Sequence, residues 1–326
     1  MRAQEDYVPA PGNLAARENF EDMRFGIFLH WGIYSMFAQG EWYLNYGPDA
    51  QEYAKAAGGF YPASFDAREW VRAIKASGAK YGDVGAIWFD GLWDHDSDPT
   101  PFDWNLPDIY SHIHGIRPDC LIGNNHHVTP FPGEDFQMFE RDLPGENTTG
   151  RASEQGMSSL PYEMCQTMNG MWGYKIQDQK YKSVETLVRL IVRASSKGSN
   201  LLLNIGPQPD GNLPATSIGR LNGIGEWMKV YGESVYGTGA TGIPEQNWGV
   251  TTCKDRILYL HLVEPLDGVE AISLPIGSCL QELGKVRSVK TLKDNTPLKY
   301  KVSGDRLVID LNETPSDIDY VIKVEF

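Results

Sequence analysis

The chain has 326 residues, 41% of them hydrophobic and 22% charged, with a formal net charge of −14. That composition is globular, with room for one large domain and one small one. The negative charge argues against nucleic acid or an anionic membrane as partner, because both require a basic surface, and no apolar run approaches the roughly 20 residues that a membrane span needs.

Residues 1–23 read as a lead-in, with Pro9 and Pro11 ahead of a short polar helix around Leu14–Met23. The stretch Met1–Asn19 is polar and lacks the apolar core of a signal peptide, which implies either a cytoplasmic protein or a mature periplasmic or secreted form. Arg24–Gly32 reads as a buried strand ending in polar and aromatic residues. The segment Ile33–Ala63 is too rich in Gly, Tyr and Trp for a plain helix, and long segments of this kind inside a domain are usually functional. Phe65–Tyr81 reads as a helix, with Asp66 at its cap or first turn and Gly78 at its stop.

Asp83–Gly91 (Asp-Val-Gly-Ala-Ile-Trp-Phe-Asp-Gly) is the pivotal stretch. Its apolar run predicts a strand buried on both faces, the pattern of a helix-covered parallel sheet. Asp90 then falls where the strand meets its loop, the edge at which α/β folds place their chemistry. An Asp after a strand commonly does no more than cap a turn. Here Trp88, Trp93, Asp94, His95 and Asp96 crowd the same mouth, and aromatic faces beside carboxylates suit a sugar-binding cleft.

Further on, Leu106–Gly115 has helical spacing, and Cys120–Asn125 is a short strand followed by His126 and His127. With no third ligand at usable spacing, the two histidines read as loop or pocket-rim residues, and neither metal nor other cofactor is expected. Asp135–Glu140 alternates and ends in a carboxylate; Gly170–Tyr174 reads as another aromatic strand end. Ser183 caps a helix that closes near Gly198, Asn200–Pro207 is a buried strand, and Ala215–Tyr231 is a last helix. Beyond Gly237–Gly242 the pattern turns to period two (257–262, 306–310, 320–324), punctuated by turns, as in an antiparallel β domain. Cys120, Cys165, Cys253 and Cys279 lack metal spacing and read as buried free thiols, with a Cys253–Cys279 bridge open only to an oxidising compartment. The expected architecture is a (β/α) TIM-like barrel domain over 1–238 and a C-terminal antiparallel β-sandwich over 239–326. About six barrel strands are recognisable where a closed barrel needs eight.

Five motifs in order, Arg24–Gly32, Gly40-Glu41-Trp42-Tyr43, Ile87–Gly91, Met171-Trp172-Gly173-Tyr174 and Leu201–Pro207, resemble the retaining α-L-fucosidases of glycoside hydrolase family 29. The resemblance implies an exo-acting hydrolase that releases terminal α-L-fucose from fucosylated glycans through two carboxylates. It makes Asp90 the nucleophile. For the acid/base it favours Glu140, whose Asp-Phe-x-x-x-Glu pattern matches one branch of the family, with Glu163 as competitor or as a group orienting its neighbours, and Glu146 behind both. It assigns His30, Glu41 and Trp42 to the hydroxyl side of the sugar and Trp93 and Trp172 to the ring and its methyl group. Two rival readings are a catalytically weakened glycan-binding protein and a glycosidase acting on galactose-configured sugars.

The sequence departs from the family in one place. The family carries two further strand–helix units before the nucleophile strand, one with an Arg-His-His-Asp-Gly motif, and at least ~60 residues are absent here at about 30 per unit. The join falls at Tyr81–Gly82. Three outcomes are open: exposed strand edges, direct pairing of the first and nucleophile strands, or residues in the natural molecule that this sequence omits.

Overall fold

The structure, a computed structural model, describes residues 7–80, 85–95, 99–100, 102–152, 155–311 and 318–326. The first part alternates helices and strands: α1 (Pro11–Met23), β1 (Phe25–Leu29), the short α2 (Tyr43–Tyr46) and α3 (Ala50–Lys55), α4 (Ala67–Ala76), β2 (Ala86–Phe89), α5 (Leu106–Ile116), β3 (Leu121–Asn124), β4 (Gln137–Glu140), β5 (Tyr162–Thr167), α6 (Val184–Ser196), β6 (Ser199–Ile205) and α7 (Ala215–Tyr231). Caps fix two of the helix starts. Asp66 accepts from the N–H groups of Arg68 and Glu69, and Ser183 accepts from Thr186 N–H.

All six strands pair in parallel. One sheet has the order β1-β6-β5-β4, a second pairs β2 with β3, and a single parallel bridge, Gly123 to Phe136, links the two. The strands therefore run 2-3-4-5-6-1 around an arc. Among the described residues no ladder joins β1 to β2. Lys80 N–H donates instead to the Phe25 carbonyl on the free edge of β1, and the Phe28 and Trp88 rings meet across the opening at 5.2 Å. The direct pairing entertained from the sequence does not form; the Tyr81–Gly82 junction itself, with Asp83 and Val84, lies outside the described residues.

The main core gathers Leu187, Val188, Ile191 and Val192 of α6, Leu201, Leu203 and Ile205 of β6, and Leu221 and Ile224 of α7. Gly225 lets α4 and α7 close on each other, since a Cβ there would sit 1.9 Å from the Ala76 carbonyl oxygen. The flank holding β2 and β3 rests on two small clusters, one of them completed by Ala16 and Phe20 of α1. This corrects one expectation. Ile87 of β2 is 38% exposed, so the strand is not buried on both faces.

The antiparallel part begins with β7 (Gly239–Ala240) and continues through β8 (Gly249–Lys254), β9 (Ile257–Leu262), β10 (Ala271–Pro275), α8 (Gly277–Leu283), β11 (Ser288–Thr291), β12 (Tyr300–Ser303), β13 (Arg306–Asp310) and β14 (Tyr320–Glu325). Sheets of order β11-β14-β9-β8-β7 and β10-β13-β12 enclose Leu258, Leu260, Leu274, Leu307 and Ile322. Val250, Tyr259 and Val321 reach the other way into the main core, so the five-stranded sheet packs directly on the α/β part. Helix α8 has no counterpart in the sequence reading. All four cysteines are free; Cys120 and Cys165 are buried, whereas Cys253 and Cys279 are only half-buried, at the margin of the second core.

Candidate active site

The carboxyl ends of the strands surround a cavity of about 250 Å³ lined by Phe28, His30, Glu41, Trp42, Trp88, Asp90, Trp93, Asn125, Glu140, Arg151 and Trp172. It lies below the ~300–1,000 Å³ of drug-sized sites and suits one monosaccharide ring. Asp90 follows β2 and Glu140 closes β4, and the amide of Asn125, just past β3, bridges them. Asn125 Nδ2 donates to Asp90 Oδ1 at 3.3 Å and to Glu140 Oε2 at 3.2 Å, so those two oxygens lie no more than about 6.5 Å apart.

The two carboxylates differ electrostatically. Asp90 stays open to the cavity, yet loss of water to the surrounding walls raises its pKa. The charge of Glu140 adds to that shift, while the Asn125 amide and Gly91 N–H oppose it. For Glu140 burial acts upward too, but the His127 hydrogen bond, the Arg151 charge and the Asn125 amide outweigh it and hold the carboxyl below its usual range. Arg151 Nη1 lies 2.7 Å from Glu140 Oε1, and His127 Nε2 donates to Oε2 at 3.1 Å.

The rest of the wall is held by the backbone around it. Glu41 Oε2 accepts from Gly173 N–H at 2.7 Å, Gly40 N–H donates to the Tyr174 carbonyl, and together they zip the 38–42 and 172–176 loops, setting Trp42 beside Trp172. Gly206 permits that closure; a Cβ there would meet the Gly173 carbonyl carbon and Tyr174 nitrogen at 2.6 Å. Asn204 donates to the Trp172 carbonyl and accepts from His30 Nδ1 at 2.6 Å, which assigns His30 the tautomer with Nε2 as acceptor. Burial lowers the His30 pKa, so the ring is neutral. Trp93, in the 3₁₀ turn after Asp90, stacks flat on His127 at 4.9 Å.

A family model described as Alpha-L-fucosidase matches residues 1–84 and 81–233. The chain belongs to the alpha-L-fucosidase family. It is similar to the plasma alpha-L-fucosidase of Rattus norvegicus, with 24% identity over 393 aligned positions covering 87% of this chain and 84% of the relative. It is likewise similar to the tissue alpha-L-fucosidase of that species, at 24% identity and 78% coverage of each. Among solved structures, alpha-L-fucosidase isoenzyme 1 from Paenibacillus thiaminolyticus superposes with a TM-score of 0.75 at 23% identity, covering 96% of this chain and 99% of that one. An alpha-L-fucosidase of family GH29 from Bacteroides thetaiotaomicron gives 0.79 at 18% identity, covering 99% and 96%. Family membership makes the enzyme a glycosidase of the α-L-fucosidase class.

Of the eight site residues expected from the sequence of this family member, seven line the cavity: Asp90, Glu140, His30, Glu41, Trp42, Trp93 and Trp172. Glu163 does not. It points from β5 into the buried interior, where its Oε1 accepts from Trp88 Nε1 at 3.1 Å, and burial pushes its pKa up to about 7. His126 also departs from expectation. It is buried away from the rim, its Nδ1 accepting from Val128 N–H and its Nε2 donating to Glu134, because the backbone turns at His127 (φ 61°) and sends the two rings opposite ways. Gly170–Tyr174 is a loop beyond β5, not a strand end. His95 stacks on Phe102, and Asp96 lies outside the described residues. Phe28, Asn125 and Arg151 were not singled out as site residues. Asn125 had a signal, being polar at a strand end, whereas Arg151 sits in a Gly- and Thr-rich loop with none.

Proposed function

We propose that the protein is an exo-acting, retaining α-L-fucosidase in which Asp90 is the nucleophile and Glu140 the acid/base. The observation that carries the reading is the single Asn125 amide holding both carboxylates in one aromatic cavity. Their capped separation accommodates the ~5–5.5 Å of retaining glycosidases. Ionised Asp90 attacks the anomeric carbon as Glu140 gives a proton to the departing oxygen, leaving a glycosyl ester on Asp90; Glu140 then takes a proton from water as it attacks that ester. His30, through Nε2, and Glu41 serve the sugar hydroxyls, and Trp42 shapes that side. Trp93 and Trp172 offer flat apolar faces to the ring and the 6-methyl group of a fucosylated substrate. Glu163 takes no part in proton transfer and acts on the site through Trp88.

We also read the arc of parallel strands as a (β/α) barrel, forming one domain over 1–238 with a β-sandwich domain over 239–326. It lacks two family strand–helix units between α4 and β2. Supporting this, the two matches to the family model meet at 81–84, and the alignment to the rat plasma enzyme spans more positions than this chain has residues.

Turnover of an aryl α-L-fucoside, with the first-formed anomer followed by proton NMR, tests the reading. Fucose should appear first as the α-anomer, Asp90→Ala should abolish turnover, and azide should restore it as β-fucosyl azide. Full activity in Asp90→Ala removes the nucleophile assignment, and β-fucose as first product removes retention. Sugar binding without turnover in the unmodified chain leaves a glycan-binding protein.

A further inference from the structure

The Glu140 carboxylate is ringed by nitrogen groups, three of them within 3.2 Å and the Arg141 guanidinium farther off. Arg151 Nη1 is 2.7 Å and Arg141 Nε 3.9 Å from Oε1; His127 Nε2 is 3.1 Å and Asn125 Nδ2 3.2 Å from Oε2. An acid must carry its proton on one of those oxygens, where N–H groups now point. These contacts favour the ionised carboxylate and so oppose the proton that the acid must carry.

Three of the donors are fixed. Asn125 is 3% exposed and also bonded to Asp90; His127 is clamped against Trp93; Arg141 lies over the Trp172 ring at 5.1 Å and donates to the Gly170 carbonyl. Arg151 differs. Its side chain is 45% exposed, it belongs to the Gly145–Arg151 loop, and its ion pair among the described residues is with Glu140. It is the donor free to leave. It also stands on the Glu140 side of the cavity, where the group protonated by Glu140 must depart.

We propose that Arg151 selects the leaving group, favouring a saccharide that carries an anionic substituent, a carboxylate or a sulfate, near the scissile oxygen. A neutral hydroxyl competes poorly with a carboxylate for a guanidinium, whereas a second anion matches the guanidinium fork and can take it bidentately. Once Arg151 turns to the substrate, Glu140 loses its closest cation, takes a proton from solvent and delivers it to the glycosidic oxygen as the C1–O bond breaks and the Asp90–C1 bond forms. Among the described residues Arg151 is the one guanidinium lining the cavity, beside the carboxylates of Glu41, Asp90 and Glu140, so an anionic substituent finds its partner there in Arg151 alone; charges elsewhere on the chain are screened over about 8 Å at physiological ionic strength.

The proposal rests on the retaining-fucosidase reading, and two glycosides separate it from that reading: 4-carboxyphenyl and 4-carbamoylphenyl α-L-fucoside, matched in size and differing in charge. The unmodified protein should favour the carboxylate in kcat/KM by about tenfold. Arg151→Gln should bring the ratio to about one, and Arg151→Lys, which keeps the charge but loses the fork, should retain part of it. A ratio near one in the unmodified protein, or a preference that survives Arg151→Gln, overturns the proposal. If neither glycoside turns over, the hydrolase reading fails, and calorimetric Kd values for the same pair then decide on Arg151 by the same ratio. A 4-sulfophenyl fucoside tells whether sulfate is accepted alongside carboxylate.

Discussion

The wall that carries Glu140 is closed on both sides, whereas the wall that carries Asp90 is half open. Every residue of β4 is buried; β5 and β6 continue the sheet, and α6 backs it with four fully buried aliphatic side chains. Among the described residues β2 has one partner strand, no fully buried residue, and two small clusters in place of a large core. In the retaining mechanism we propose, both carboxylates must be held to a fraction of an ångström, which would require equal precision from unequally packed walls. Beyond the Gly123–Phe136 bridge and the cluster of Leu121, Phe136 and Met138, three links near the cavity tie the thin wall to the rest: the Asn125 amide between the carboxylates, the Trp88 indole on Glu163 of β5, and the Phe28–Trp88 contact across the opening. Short polar and aromatic ties thus supplement two small hydrophobic clusters on the Asp90 side.

The largest expected effect tests the catalytic division between the walls. Glu140→Ala should cost about 10²–10⁴-fold in kcat/KM on an alkyl fucoside, the usual worth of a general acid, and far less on a 2,4-dinitrophenyl fucoside, whose leaving group departs without a proton. Steady-state kinetics on the pair checks this; equal losses on both would mean that Glu140 does not protonate the leaving oxygen. On the thick wall, Leu203→Ala should destabilise by about 2–5 kcal/mol in denaturant unfolding, since Leu203 is fully buried in the main core.

The thick wall was also the readable one. Asn200–Pro207 and the helix after Ser183 declare themselves because both faces of β6 and one face of α6 are covered, which forces apolar residues at a fixed period. β5 hid in the same wall: its Tyr-Glu-Met-Cys-Gln-Thr run mixes interior polar groups with core ones, so the aromatic stretch eight residues later was read as the strand end. On the thin wall the apolar run Ala86–Phe89 correctly announced a strand but misreported its burial, because an apolar run reports strand propensity and not how fully neighbouring elements cover it. Asp90 and Glu140 were legible as strand-end carboxylates. Arg151 was not, since a loop arginine acquires meaning only from what lies 2.7 Å away.

The tie between the walls should respond to pH. Glu163 is held at about 7, above the 4.5 of an ordinary glutamate, by burial, with the Trp88 hydrogen bond working against the shift. Between those values the folded protein keeps a proton that the unfolded chain has lost, so its contribution is fully present below pH 4.5 and declines as pH rises to 7. The loss over that window is about 3 kcal/mol. Glu163→Gln keeps an acceptor for Trp88 and cannot ionise, so the stability difference between parent and variant should drift in favour of the variant by about that amount across the window. Thermal unfolding of both proteins at several pH values reads it; parallel curves would place the proton of Glu163 elsewhere.

The smallest effect is the sharpest test of the open flank. Ile87 is 38% exposed, on the sheet face opposite the one from which its neighbour Trp88 reaches the cavity. If that side meets water, Ile87→Ala removes little buried surface and should cost under about 1 kcal/mol, within the range of surface substitutions once strand propensity is included. If the flank is covered in solution, by a second copy pairing along the β2 edge, the same change should behave as a core truncation, cost about 2–5 kcal/mol, and do so only at concentrations where the copies pair, the paired state gaining stability with the logarithm of concentration. Denaturant unfolding at two concentrations a hundredfold apart distinguishes the cases. A small, concentration-independent cost means that β2 holds Asp90 from one side alone and that Asn125 and Glu163 supply the remaining constraint. A large cost at both concentrations would instead mean that residues of the same chain cover Ile87, and the contrast between the two walls would disappear.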